Sequence, residues 1–68
     1  MTADEYRAAL KRLGLTHVAA AAFLGVEEIT SRRWATAKTR VPGSVSTLLR
    51  LIIALKLTPD KVREWLSA

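Results

Sequence analysis

Apolar residues recur at helical spacing along most of the chain. Tyr6, Ala9, Leu10 and Leu13 fall on one face of a first segment, Ala3–Leu13. Thr2 and Glu5 stand at its start in the spacing of a capping box, and Gly14 follows its last apolar position, where a left-handed residue closes a helix at little cost. Thr16 is positioned to cap a second, alanine-rich helix, His17–Leu24, which Gly25 ends. A third helix is predicted over about Glu27–Thr36, with Glu27 and Glu28 at its positive N-terminal dipole. Lys38-Thr39-Arg40 reads as a polar loop. Val41-Pro42-Gly43-Ser44 opens a fourth helix that runs to about Leu55. Thr58-Pro59-Asp60 supplies a cap, a proline at the first helical position and an early acid for a fifth, Pro59–Leu66. Val and Ile are few and do not alternate, so no strand is predicted and the fold class is all-α.

The fourth helix departs from simple amphipathicity. Val45, Leu48, Leu49, Leu51, Ile52, Ile53, Leu55 and Leu57 are too many for one face, so the helix is expected to be covered on most sides. The first three helices would cover one side. The fifth, through Val62, Trp65 and Leu66, would cover another. Whatever remains, with Ile53, Leu57, Trp65 and Leu66 as the candidates, would form a homodimer surface unless intramolecular packing absorbs it.

Size sharpens that expectation. With 68 residues the chain is a single domain, 1–68, and one this short buries only about 60% of its unfolded surface. It contains no Cys, hence no disulfide and no thiolate metal site, which leaves oligomerisation as the common remedy for marginal stability. The N-terminus is acidic and lacks the basic start of a signal peptide. The longest apolar stretch, Val45–Leu57, is short for a membrane span and contains Arg50 and Lys56. A soluble cytoplasmic protein is expected.

The net charge is +5, and its distribution matters more than its size. Up to Glu28, Arg7, Lys11 and Arg12 stand against Asp4, Glu5, Glu27 and Glu28. From Ile29 to Pro59 the ionic residues are Arg32, Arg33, Lys38, Arg40, Arg50 and Lys56, with no acid; beyond Pro59 the charges cancel. A one-signed stretch of this kind suits a polyanion, or is simply a solvated basic surface.

Within Thr16–Trp34, Ala21 precedes Gly25 by four residues and Trp34 follows it by nine, with Leu24 and Val26 flanking the glycine. A small residue lets two helix backbones approach, Gly25 supplies a positive φ at the corner, and Leu24, Val26, Ile29 and Trp34 can lock the pair to a core. A helical bundle with no ligand could contain the same corner. The basic residues that follow it, Arg32, Arg33, Lys38 and Arg40, have no structural need to be there.

Leu15-Thr16-His17, Ala21, Leu24-Gly25-Val26, Thr30, Arg33-Trp34, Val41-Pro42 and Leu48-Leu49-Arg50-Leu51 together resemble the Cro/phage-repressor (XRE-type) helix-turn-helix family over about residues 4–57. The resemblance implies a five-helix, lambda-repressor-like fold with its motif at about 16–36. It also implies sequence-specific binding of double-stranded DNA by a small transcriptional regulator, a repressor acting as a dimer on an inverted repeat. The chain departs from the family at four places. His17 stands where Gln is usual, Ala20 where a larger aliphatic is usual, Ser31 where a β-branched apolar residue is usual, and Arg32 often where Ser or Thr stands. Ser31 is therefore expected to loosen the third helix, and Phe23 either to compensate for Ala20 or to be exposed.

By position in the motif, Glu27, Glu28, Ile29, Arg32 and Arg33 should face the groove, with Glu28, Ile29, Arg32 and Arg33 as base contacts. Arg32 is the expected guanine reader, Glu28 an acceptor for a cytosine amino group or a solvated acid, and Ile29 a partner for a thymine methyl or a core residue. Thr16, His17, Lys38, Thr39, Arg40 and Ser44 are the expected phosphate contacts; Arg33 is expected to contact phosphate as well, and a phosphate contact is the alternative role for Arg32.

Rival classes fare less well. One His, no Cys, no phosphate loop and no facing carboxylate pair argue against an enzyme, a metal site or a cofactor. An RNA-binding module would want an aromatic stacking surface. A protein-binding module such as an antitoxin that masks a toxin is compatible with the same fold. Basic residues spread over several elements do not make a membrane-surface helix.

Overall fold

The computed structural model describes residues 1–67. It contains α1 (Ala3–Leu13), α2 (His17–Leu24), α3 (Glu28–Ala35), α4 (Gly43–Ala54) and α5 (Pro59–Leu66), with no strand among the described residues. The expected bounds of α1, α2 and α5 hold. The ends of α3 lie one residue inside the expected range, since Glu27 and Thr36 flank the helix as its N-cap and C-cap. No helix among the described residues is long and apolar enough to cross a membrane.

Local chemistry sets these ends. Thr2 and Glu5 form the reciprocal capping box, with Thr2 N–H donating to Glu5 at 2.8 Å and Glu5 N–H donating to Thr2 Oγ1 at 3.1 Å. The Thr2 amide holds the Glu5 carboxyl below the usual carboxylate range. Thr16 and Thr58 cap α2 and α5 with the side chain alone, Oγ1 accepting from the Ala19 and Lys61 amides. Gly14 and Gly25 close α1 and α2 at φ +69° and +72°, in the left-handed region.

The core forms where α1, α3 and α4 meet, around Tyr6, Ala9, Leu10, Ala20, Trp34, Ala35, Val41 and Leu49. Trp34 packs edge-on to Tyr6, with ring centroids 5.5 Å apart and planes at 87°. Ala20 and Ala21 are buried, so the small face of α2 is where α3 packs closely. Ala20 needs no compensating bulk there. Phe23 lies half-buried beneath the Arg63 guanidinium, 5.5 Å from its ring centre.

The second half of the chain is covered less evenly than expected. Ile53 packs against the core and Leu57 is half-buried. The fifth helix leaves Leu48, Leu51 and Leu55 of α4 and its C-cap exposed. It buries only Pro59 of its own residues, leaving Trp65 and Leu66 exposed. Its remaining turns carry Asp60, Lys61, Arg63 and Glu64, which are too polar to seal an apolar stripe.

Candidate nucleic-acid interface

The helix α3 has two unlike sides. Ser31, Trp34 and Ala35 are buried, whereas Glu28, Ile29, Arg32 and Arg33 are exposed. At about 100° per residue, those four share one arc of α3. The structure thus brings the four expected base contacts onto a single face, and it places Ile29 in solvent, 47% exposed, rather than in the core. Arg32 Nε donates to Glu28 Oε2 at 2.7 Å across one turn. Glu28 is therefore engaged by its neighbour, and the two Nη groups of Arg32 take no protein partner among the described residues. Arg33 makes no ion pair among the described residues.

Beyond α3 the chain turns through Ala37, a non-glycine residue at φ 63°. The amide of Lys38 donates to the Arg33 carbonyl at 3.0 Å, tying the loop to the end of the helix. Lys38, Thr39 and Arg40 are exposed on this loop, and Ser44 is exposed in the first turn of α4. The basic loop thus adjoins the last turn of α3, which itself carries Arg32 and Arg33.

Behind the exposed arc lies a polar contact with no signature in the sequence pattern. Ser31 is fully buried, and its Oγ sits 2.7 Å from the Tyr6 hydroxyl and 2.8 Å from His17 Nδ1. Tyr6 is also fully buried, and Ser31 is its hydroxyl's one hydrogen-bond partner among the described residues. The Ser31 hydroxyl also bonds His17 Nδ1, so the ring's other nitrogen is Nε2. Nε2 has no protein partner and reaches solvent, because no unpaired polar atom is buried among the described residues. Burial pushes the Tyr6 phenol above its usual pKa, against the opposing effect of its bond to Ser31.

This network corrects the expectation that Ser31 loosens α3. The serine joins α3 to α1 and α2 at once, and the two departures at His17 and Ser31 are partners in one contact. Positions 6, 17 and 31 are too far apart for any local pattern to announce it. The available signal was that a serine at a buried helical position has to find a partner. For His17, whose expected role was a phosphate contact, only Nε2 remains to make one. Thr16 Oγ1 accepts from the Ala19 amide, and its hydroxyl proton stays available.

Comparison with protein-family models, with curated proteins and with solved structures found no match to this chain.

Proposed function

We propose that the chain binds double-stranded DNA sequence-specifically, with α2 and α3 as a helix-turn-helix of the Cro/phage-repressor type and α3 as the helix that enters the major groove. The observation that carries this reading is the exposed arc Glu28, Ile29, Arg32 and Arg33 on a helix whose opposite side is held in the core, followed directly by the exposed Lys38-Thr39-Arg40. Arg32 offers its two Nη groups to guanine O6 and N7 while Glu28 steadies its Nε. Arg33, Lys38 and Arg40 neutralise phosphates, which positions the helix without reading sequence. His17 Nε2 and the Thr16 hydroxyl add polar groups at the start of α2. In this reading the protein is a small transcriptional repressor on an inverted repeat, with one copy per half-site and the half-sites about 34 Å apart.

Selection of bound duplexes from a random DNA library tests the proposal. The expected result is enrichment of a short palindrome with a guanine in each half-site, and binding that weakens steeply with salt. Arg32→Ala should relax preference at that guanine. Lys38→Ala should weaken binding to all duplexes alike and lower the salt slope by about 1. Absence of enrichment, or identical behaviour of the two variants, overturns the assignment.

A further inference from the structure

We propose that Ser31 is a positioning residue for His17: held from behind by Tyr6, its hydroxyl keeps the imidazole in the form protonated at Nε2, so that His17 presents a neutral donor to a phosphate. The phosphate rests on the DNA reading above. The form of the ring rests on the buried contact alone.

Proton counting carries the inference. Three groups meet through two contacts, the Tyr6 hydroxyl with Ser31 Oγ at 2.7 Å and Ser31 Oγ with His17 Nδ1 at 2.8 Å. Each contact takes one proton, and the two hydroxyls bring one each. With Nδ1 bare, Tyr6 donates to Ser31, Ser31 donates to Nδ1, and every proton has an acceptor. With a proton on Nδ1, three compete for two places, and one hydroxyl is left with nothing to donate to. Tyr6 and Ser31 are both 0% exposed, so neither hydroxyl can turn to solvent. The outlet one helical turn back is closed as well. The Glu27 carbonyl already accepts from the amides of Thr30 and Ser31, and Ser31 Oγ makes no bond to it. A buried donor without a partner disfavours an arrangement by roughly 5- to 150-fold.

The orientation of the ring carries this preference outward. His17 opens α2 and is half-buried. Nδ1 meets Ser31 of α3, and Nε2 has no partner among the described residues. On a neutral ring a bare Nδ1 leaves the proton on Nε2, where it can be donated. The other neutral form would present a lone pair there, which a phosphate oxygen repels. Ser31 thus acts on the surface without reaching it. A valine at the same place would fill the space but leave the ring free to take either form.

Nitrogen NMR of the full chain reads the ring directly. His17 is the only histidine, so its two ring nitrogens stand alone in the spectrum. At about pH 8, above the ordinary histidine value of about 6.5, Nδ1 should show the shift of a bare nitrogen and Nε2 that of a protonated one. Ser31→Ala, with helix content checked by circular dichroism, should move both toward the average of the two neutral forms. Ser31→Thr, which keeps the hydroxyl, should restore them. A proton on Nδ1 in the native chain, or ring shifts indifferent to Ser31→Ala, overturns the positioning role. A double-mutant cycle on binding to a mixed-sequence duplex at low salt tests the phosphate. His17→Ala should weaken binding roughly 2- to 12-fold, the span for one hydrogen bond, and Ser31→Ala should weaken it no further once His17 is gone. Additive losses would make Ser31 a purely structural residue and overturn the proposal. Absence of any duplex binding overturns the DNA reading and with it the phosphate, while the ring shifts still decide the role of Ser31.

Discussion

The chain contains two helix pairs built to a similar local plan, and they differ in almost everything that matters. Both α2–α3 and α4–α5 turn through a left-handed residue after the first helix, Gly25 at φ 72° and Lys56 at φ 55°. By local signals the second pair is the better specified. Thr58 caps α5 with its side chain and Pro59 opens it, whereas Glu27 makes no side-chain cap to α3. Yet α3 buries Ser31, Trp34 and Ala35, and α5 fully buries only Pro59 among its described residues. Their charges diverge too. On α5, Asp60 pairs with Arg63 and Glu64 with Lys61; on α3 one acid faces two arginines. Capping decides where a helix starts, but anchoring needs a neighbour able to come close. The buried Ala20 and Ala21 make α2 such a neighbour.

The two tryptophans, one in each pair, give the largest expected contrast. Trp34→Ala should cost about 3–5 kcal/mol, the range for emptying an aromatic site in a core, and leave little of a small domain's stability. Trp65→Ala should stay within about 0.5 kcal/mol. Urea unfolding followed by circular dichroism measures both, and similar midpoints would erase the distinction between the pairs.

Next comes the buried polar contact behind α3. Ser31→Val restores the apolar residue that the family resemblance leads one to expect, yet it should destabilise by about 1–3 kcal/mol, because it strands the Tyr6 hydroxyl in the core. A stabilising result would show that the contact does not hold α3. The same contact sets an alkaline limit. The Tyr6 phenol is raised above its ordinary 10.0 in the folded state. Its contribution to stability is therefore fully present below about pH 10 and is lost as pH rises through the higher folded value. Helix content and tyrosinate absorbance should change together above that pH, and Tyr6→Phe should remove the coupling.

The smallest effects come from the turns. Gly25→Ala places a side chain in the left-handed region and should cost about 1–2 kcal/mol. No atom lies within 4 Å of the added Cβ, so the cost is backbone strain alone. Lys56→Gly relieves the same strain in the second turn, and after the loss of about 0.5–1 kcal/mol to glycine's entropy it should be neutral or slightly stabilising. Shifts of the same sign would mean that the two turns are not equivalent.

Much of this molecule was legible in the amino-acid sequence because it rests on contacts within one helical turn. Thr2 with Glu5, Thr16, Thr58 and the two closing glycines act over three or four residues, and the helix bounds followed from them. The exposed arc of α3 was largely legible for a related reason: once Trp34 is assigned to the core, helical spacing places Glu28, Arg32 and Arg33 on the far side, while Ile29 stayed open between core and groove until the structure exposed it. The acid-free run from Ile29 to Pro59 was likewise plain. Only the tertiary structure decided which apolar residues of α4 are covered. Ile53 and Leu51 are both large aliphatics two positions apart, and one packs on the core while the other faces solvent. That choice depends on where α1 and α5 come to lie, which no pattern within α4 encodes. Ser31 shows the same limit. Read alone it is a weak spot in α3, and its role appears only when Tyr6, 25 residues earlier, and His17, 14 residues earlier, close around it. A buried polar group is stabilising or costly according to partners that folding alone brings within reach.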